Sequence, residues 1–307
     1  AVRGNFDDAQ TGVKNIFTDG AFAETLKTRG YTLSSANSIN IGRLLPQIVY
    51  YFYAYLSLVR KGRISAGSKI NFVVPTGNFG NILACYYAEK MGLPVNRIIC
   101  ATNDNNVVSD FMATGVYNSK RPFIQTISPA MDILVSSNLE RLLYEASGND
   151  AQSVAADQED LKASGVYSVD KKTINNINQS FWSSYASQEE CRATIKNVYQ
   201  EFHYLIDPHT AVGIDVYDKY VISTGDTAPS VAVSTASPFK FNKTVAEAIF
   251  GPEAISGRNE FEILEDLSAK TGQTIPAPLR DLDRKPILHN KVCEVSGMKA
   301  AVDAFLQ

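Results

Sequence analysis

A stretch of the chain that starts at residue 71 alternates apolar runs with a polar turn. An apolar run rich in β-branched residues ends at Pro75, and the segment TGNFGN follows it. The next residues, ILACYYAEKMG, have the composition of a helix, and a second apolar run, NRIICATN, comes after them. Strands that alternate with helical segments in this way are typical of βαβ units. We therefore predict a strand, a glycine-rich turn, a helix and a second strand.

The remaining chain shows the same kind of pattern. Residues 1–36 predict a strand, a helix over residues 7–27 and a second strand, YTLSSA. The segment LLPQIVYYFYAYLSLV predicts a buried helix, because Pro46, Gln47 and five aromatic rings do not suit a membrane span. Residues 151–215 are polar with a helical period and predict a helical insertion, whereas APSVAVSTASP predicts a strand that ends in hydroxyl side chains.

Strands that alternate with helices indicate an α/β fold, with a mostly parallel sheet covered by helices on both faces. Ligands bind such sheets outside the carboxyl ends of the strands. Three polar segments, SANSIN, TGNFGN and STASP, each follow a predicted strand. We therefore predict that they converge on one site at that edge of the sheet.

The TGNFGN turn has the features of an anion site. The N–H groups at a helix N-terminus have no partner within the helix, and the helix dipole adds partial positive charge there. Glycine also removes the Cβ atom that would keep an anion at a distance. The turn is neither a Walker A motif nor G-x-G-x-x-G. Taken alone, it is equally compatible with a βα turn that binds no ligand.

Composition narrows the functional classes. The chain has 307 residues, 45% of them hydrophobic, a formal net charge of −3 and a pI of about 5.7, which do not suggest a nucleic-acid partner. The start, AVRGNFDDAQ, does not resemble a signal peptide. Four widely spaced cysteines without a CxxC motif fit a reducing, cytoplasmic setting, and the three histidines lack the spacing of metal ligands.

Seven segments, in order and at compatible spacing, carry a resemblance to one family. They are SANSINIGRLLPQIVYY, VPTGNFGN, ATNDNN, TGVY, SPAMDILVSSNLERLL, DPHTAVG and VSTASPFKF. Together they resemble threonine synthase, in the longer form of fungi and many bacteria. The resemblance implies a fold-type II pyridoxal 5'-phosphate (PLP) enzyme, similar to the tryptophan synthase β chain. It also implies a lyase that converts O-phosphohomoserine and water to L-threonine and phosphate.

The resemblance implies roles for particular residues. The glycine-rich turn would bind the phosphate of PLP through Gly77, Asn78, Phe79, Gly80 and Asn81. The hydroxyl of Thr235 would meet the pyridine nitrogen. The phosphate of the substrate would be bound by Asn37, Ser38 and Arg43, with help from Asn78. Without the resemblance, Thr235 reads as a turn cap, Asn37 and Ser38 as helix caps and Arg43 as a solvated side chain. His209 in DPHTAVG is interpreted as structural.

One family motif has no counterpart in this sequence. The lysine that forms the Schiff base with PLP belongs to a motif resembling HGPTxAFKD, and we expect that lysine upstream of Ala1. The resemblance thus implies an N-terminally truncated chain, inactive by itself, whose partner is the missing segment. Residues 1–36 would be the remainder of a small α/β lobe. Residues 37–307 would form a large domain that binds the PLP phosphate, with the helical insertion near 151–215.

Three alternatives stay open at this stage. The chain could be a non-catalytic fragment or binding module that has kept the fold. It could be another fold-type II PLP enzyme, such as an amino-acid dehydratase, although a second phosphate site around Arg43 favours a phosphorylated substrate. An NAD-dependent dehydrogenase is the weakest alternative, because the turn lacks the third glycine.

Overall fold

The computed structural model describes residues 1–4 and 6–306, apart from the side chains of residues 6, 7 and 10. The strands are β1 (Val2–Arg3), β2 (Ile70–Pro75), β3 (Val95–Thr102), β4 (Val116–Asn118), β5 (Val166–Ser168), β6 (Phe181–Tyr185), β7 (Ser230–Ala232) and β8 (Cys293–Glu294). The α-helices are α1 (Phe6–Thr18), α2 (Gly20–Thr28), α3 (Ile41–Arg60), α4 (Gly80–Lys90), α5 (Val107–Thr114), α6 (Leu139–Ala146), α7 (Ala151–Ser164), α8 (Lys171–Ser180), α9 (Gln188–Phe202), α10 (Pro208–Thr224), α11 (Asn242–Phe250), α12 (Glu260–Thr271) and α13 (Met298–Phe305).

The central element is a four-stranded parallel sheet in the order β6-β3-β2-β7. Its middle strands, β2 and β3, are joined by α4, so the predicted strand, turn, helix and strand are confirmed. In register, Phe72 lies opposite Ile98 on one side and Val231 on the other. The glycine-rich turn therefore leaves the carboxyl end of a central strand.

Both faces of the sheet are buried, as expected where helices cover a parallel sheet. Successive side chains of a strand point to opposite faces. Accordingly, Phe72 and Val74 pack in the cluster that contains residues of α3 and α4, whereas Val73 packs with residues of α9 and α10. This alternation explains why β2, which is apolar except for Asn71, is buried from end to end.

The chain divides into two compact units, Ala1–Ala36 with Asp281–Gln307, and Asn37–Arg280. The predicted assignment of residues 281–307 to the large domain is therefore wrong. These residues belong to the first unit because β8 pairs in parallel with β1, and Met298 of α13 packs in one cluster with Ile16 and Leu26. The backbone of Ala1 also accepts a hydrogen bond from the N–H of Cys293, at 2.9 Å.

Three further predictions need correction. YTLSSA has no strand structure, because its backbone finds no partner strand in the described part of the first unit. The predicted helix of residues 7–27 is two helices, since Asp19 caps α2 by accepting from the N–H of Phe22 at 2.9 Å. Residues 151–215 are not a purely helical insertion, because they contain β6, which pairs with β3 at the edge of the sheet.

Helix α3 is buried on one face only. Leu44 and Tyr51 are almost fully buried, whereas Leu45, Val49 and Tyr53 are 51%, 63% and 68% exposed. The prediction of a buried helix is thus wrong for the second face. No helix in the described part of the chain has the length and hydropathy to cross a bilayer.

Two adjacent leucines of α3 provide a matched test of this packing. We expect Leu44→Ala to lower the free energy of unfolding by about 2–5 kcal/mol, because it leaves a cavity in the core. Leu45→Ala should change it by less than about 0.5 kcal/mol, as is usual at exposed positions. Urea denaturation of the chain measures both values. Equal losses at the two positions would show that the exposed face of α3 is covered.

Candidate anion-binding site

The turn of residues 77–81 leaves β2 and enters α4 in an uncommon conformation. Phe79, which precedes α4, has a φ of 62° in the left-handed region, although it is a buried aromatic residue. Non-glycine residues hold this conformation only where their surroundings enforce it. None of the N–H groups of residues 77–81 has an acceptor within the described structure. Together with the dipole of α4, they have the arrangement that favours binding of an anion.

Two glycines let neighbouring segments approach this turn closely. A Cβ atom at Gly80 would lie 2.2 Å from Ser38 Oγ and 2.5 Å from Ser38 Cβ. A Cβ atom at Gly77 would lie 2.7 Å from the carbonyl oxygen of Ala130. Real Cβ atoms do not come this close to other atoms, so both glycines are required by packing.

A second segment, the support loop of residues 124–138, holds the turn by donating hydrogen bonds to the carbonyl and side-chain amide oxygens of the turn. Ser136 Oγ donates to the Gly77 carbonyl oxygen at 2.9 Å. Ser137 Oγ donates to Asn78 Oδ1 at 3.3 Å, and the backbone N–H of Asn138 donates to the Asn78 carbonyl at 3.2 Å. The turn is thus fixed without using any of its own N–H groups.

The support loop is itself anchored by a buried polar network that follows β3. Asn103 Nδ2 donates to Asp132 Oδ1 at 2.7 Å and to Thr126 Oγ1 at 2.9 Å. Asn105 Nδ2 also donates to Asp132 Oδ1, at 3.0 Å, and the N–H of Thr126 donates to Asp132 Oδ2 at 2.8 Å. Asp132 is 3% exposed, so these donors compensate the burial of its carboxyl group.

His209 supplies a second anchor for the same loop. Its Nε2 accepts the backbone N–H of Ala130 at 3.2 Å, so the ring proton lies on Nδ1, which is 2.8 Å from Asp207 Oδ1. Burial opposes ionisation of Asp207, but hydrogen bonds from His209 and Thr210 outweigh it and lower the pKa of that carboxyl group. Both ring nitrogens of His209 are engaged, which agrees with its interpretation as a structural residue.

Ser38 of the SANSIN segment lies beside the turn, although the described residues directly before this segment form no strand. Ser38 is brought there by Asn138, whose Nδ2 donates to Ser38 Oγ at 3.0 Å. Asn37 Oδ1 accepts the backbone N–H of Ile39 at 3.1 Å. Arg43 lies in the first turn of α3; its side chain is exposed, and the ion pairs of the described residues do not include it.

Asn81 has a local structural function at the start of α4. The hydroxyl group of Tyr51, on α3, lies 2.9 Å from the carbonyl oxygen of Asn81 and 2.7 Å from its Oδ1. Burial raises the pKa of the Tyr51 phenol well above its usual value, and the nearby Cys85 adds to the effect. Tyr51 therefore stays a neutral donor that fastens the end of the turn to α3.

Thr235 follows β7, beyond the last paired residues of that strand. Because Ala232 pairs with Val73 in a parallel register, Thr235 leaves the sheet at the same edge as the turn. Its side chain is exposed. The structure thus places Thr235 on the predicted side of the sheet, but the hydrogen bonds recorded for the described residues do not join it to residues 77–81.

Three residues that hold the site were not predicted from sequence. Ser136, Asn138 and Arg141 lie in SPAMDILVSSNLERLL, a segment used for the family resemblance without a role for each residue. The sequence does mark Asn138 as a residue with a structural role, because it stands just before an apolar helical run. That position predicts a helix cap rather than a link between two distant segments.

Comparison with known proteins identifies the architecture. Residues 210–302 match the family model described as threonine synthase, C-terminal. The threonine synthase of Saccharomyces cerevisiae is 40% identical over 265 residues, which cover 82% of this chain and 50% of the yeast protein. A crystal structure of PLP-bound threonine synthase from Brucella melitensis matches with a TM-score of 0.80 and 38% identity, over 100% of this chain and 58% of that one.

The predicted resemblance to threonine synthase is confirmed. The fold is the predicted fold-type II α/β architecture that the matched threonine synthases share. Human threonine synthase-like 1 is also similar, at 43% identity over 250 residues, covering 81% of this chain and 33% of the human protein. The chain spans about half the length of the yeast protein and a third of the human one.

The contact between Gly80 and Ser38 leads to a test of the site's packing. We expect Gly80→Ala to lower the free energy of unfolding by about 1–3 kcal/mol, because the added methyl group overlaps Ser38. Gly20→Ala is the matched control, since a Cβ atom at Gly20, in α2, meets nothing within 4 Å. Urea denaturation compares the two variants. A Gly80→Ala variant as stable as Gly20→Ala would contradict the close approach of the two segments.

Proposed function

We propose that this chain is part of a threonine synthase, a PLP-dependent lyase that converts O-phosphohomoserine and water to L-threonine and phosphate. One observation carries the proposal: the N–H groups of residues 77–81 have no acceptor among the described residues and lie beside Ser38. Two neighbouring groups of donors suit a reaction in which both cofactor and substrate carry a phosphate. Similarity to threonine synthases over the whole chain supports this assignment.

In this proposal the turn binds the phosphate of PLP through the residues named in the sequence analysis, Gly77, Asn78, Phe79, Gly80 and Asn81. Backbone N–H groups suit a dianion because their dipoles are fixed before it arrives. PLP, when bound, supplies an electron sink. The neutral hydroxyl of Thr235 would meet the pyridine nitrogen and, unlike a carboxylate, would not stabilise a proton on it.

The substrate phosphate would be bound by Asn37, Ser38 and Arg43, with Asn78 at the border of the two sites. Ser38 Oγ accepts from Asn138, so its own proton is directed elsewhere and is available to an anion. The Arg43 guanidinium offers a planar pair of donors that matches two phosphate oxygens. Asn78 Oδ1 faces Ser137, which leaves the Nδ2 group of Asn78 to donate.

The residues of this chain receive binding roles rather than covalent ones. The sequence contains no motif resembling HGPTxAFKD, to which the resemblance assigns the lysine that bonds PLP. Turnover by the proposed enzyme therefore needs that lysine in addition to the residues described.

A second candidate function is a PLP-binding protein that does not form threonine. The observation that favours it is that the residues of this chain include no motif resembling HGPTxAFKD, to which the resemblance assigns the lysine that bonds PLP. The two candidates share the turn of residues 77–81 and differ in whether Ser38 and Arg43 bind O-phosphohomoserine. Binding of that compound therefore separates them.

The cofactor part of the proposal can be tested by titrating the chain with PLP and with pyridoxal, which lacks the phosphate. We expect PLP to bind at least about ten times more tightly, because only PLP offers an anion to the N–H groups of residues 77–81. Fluorescence or calorimetric titration measures both dissociation constants. Equal affinities would remove the turn from the proposed cofactor site.

The substrate part can be tested with Arg43→Ala and its control Arg60→Ala. Both arginines are exposed on α3, and about 26 Å of helix separates them. We expect Arg43→Ala to weaken binding of O-phosphohomoserine by about 10- to 100-fold, the usual range for a charged hydrogen-bond partner. Arg60→Ala should have no effect, and homoserine should bind weakly to every variant.

The wild-type titration also decides between the two candidate functions. A chain that binds PLP but not O-phosphohomoserine would favour the second candidate, a PLP-binding protein that does not form threonine. An unchanged dissociation constant in Arg43→Ala would reject the assignment of Arg43.

A further inference from the structure

Asn138 stands at the N-cap position of α6, but its side chain does not cap that helix. Asparagine at this position ordinarily accepts a hydrogen bond from the first turn of its own helix. The side chain of Asn138 is fully buried and instead reaches two distant segments. Its Nδ2 donates to the carbonyl oxygen of Asn78 at 2.7 Å and to Ser38 Oγ at 3.0 Å. The Nδ2 group of Asn138 therefore donates to both the turn and the SANSIN segment.

Arg141 fixes the orientation of this amide. Its Nη1 donates to Asn138 Oδ1 at 2.6 Å, and because a guanidinium only donates, the oxygen of the amide must face it. The same guanidinium donates from Nη1 to the Ser38 carbonyl at 3.0 Å and from Nη2 to the Ile39 carbonyl at 2.7 Å. Asn138 and Arg141 thus hold the backbone and the hydroxyl group of Ser38 together.

The bond to the Asn78 carbonyl determines where the next N–H group points. In a trans peptide the carbonyl and the following N–H point in opposite directions, and the described peptide bonds are all trans. Asn138 therefore aims the N–H of Phe79 away from itself. Ser136, which holds the Gly77 carbonyl, aims the N–H of Asn78 in the same manner.

The bond to Ser38 has a matching effect on the second group of donors. A serine hydroxyl that accepts a hydrogen bond keeps its own proton for another partner. The structure records no acceptor for that proton among the described residues, so it is available to a ligand. One buried amide thus orients a donor in each of the two segments.

We propose that Asn138 is a positioning residue that sets the geometry of both phosphate sites at once, an inference that rests on the proposed function. Asn138 is buried behind both segments and orients the groups that bind the two phosphates. Substitutions at Ser38 or Arg43 affect one site, whereas substitution at Asn138 weakens both. The two sites are energetically coupled through its amide.

The test compares Asn138→Asp with Ser38→Ala in titrations with PLP and with O-phosphohomoserine. Aspartate has the shape of asparagine but replaces the Nδ2 donor with an acceptor. We expect Asn138→Asp to weaken the binding of each ligand by about 10-fold or more, whereas Ser38→Ala should weaken only O-phosphohomoserine. Loss of affinity for one ligand alone, or for neither, would overturn the proposed coupling.

Asn176→Ala is the matched control for a purely structural effect. Asn176 Nδ2 donates to the carbonyl oxygen of Ala146 at 2.8 Å, so it also binds α6 through an amide, but away from the turn. We expect this variant to lose stability without changing either dissociation constant. If Asn176→Ala weakened both ligands as Asn138→Asp does, the effect of Asn138 would be general destabilisation and the positioning role would be rejected.

A measurement without ligands separates this inference from the proposed function. Backbone ¹⁵N relaxation reports the order of the amides of Ser38 and Phe79 on the ps–ns timescale. We expect order to fall at both residues in Asn138→Asp and in Asn138→Ala, but not in Asn176→Ala. If the wild-type chain binds neither ligand, the proposed function fails. The relaxation data alone then test whether Asn138 orders the turn and Ser38. Unchanged order at either residue would then reject the positioning role.

Discussion

The N–H groups of residues 77–81 remain available to a ligand only if other bonds hold the turn in place. An ordinary turn is ordered by its own N–H groups, which this turn leaves without acceptors in the described structure. Its order comes from bonds to its oxygen atoms and from close contacts at Gly77 and Gly80. The left-handed conformation of Phe79 persists for the same reason, because the surrounding contacts leave it no alternative.

This constraint explains why so much polar structure is buried behind the site. The support loop of residues 124–138 contacts the turn. The loop itself is fixed by hydrogen bonds at two positions, the carboxyl group of Asp132 and the backbone N–H of Ala130. Asn103 and His209, which bind those two positions, act on the turn only through the loop. Through these bonds, the ATNDNN and DPHTAVG segments support the loop that holds the turn.

The sequence predicts the parts of this structure that depend on local periodicity. The unit of β2, α4 and β3 follows from its apolar runs and its glycines, and so does the position of the turn. Pairing between distant segments has no such local signal. The pairing of β1 with β8 joins Val2 to Cys293, and it moves the last residues of the chain into the first unit. The strand FWSSY of β6 is short and half polar, so its pattern does not distinguish it from the helices around it.

The same limit applies to the site. The sequence pattern predicts the SANSIN segment near the turn on the premise that it follows a strand, yet the described residues directly before it form no strand. It reaches the turn because Asn138, 100 residues away along the chain, donates to Ser38. The sequence pattern therefore predicts that Ser38 lies near the turn, but for a wrong structural reason, and it does not predict the residue that joins them.

The two groups of donors also differ in a way that suits different ligands. The turn offers backbone dipoles that are fixed before binding, so a phosphate held there costs little conformational entropy. Arg43 is an exposed side chain with many rotamers, and ordering it opposes each binding event. Under the proposed function, the fixed donors suit the phosphate of a resident cofactor. The mobile arginine suits a phosphate that must leave, because the entropy regained on its release favours departure of the product.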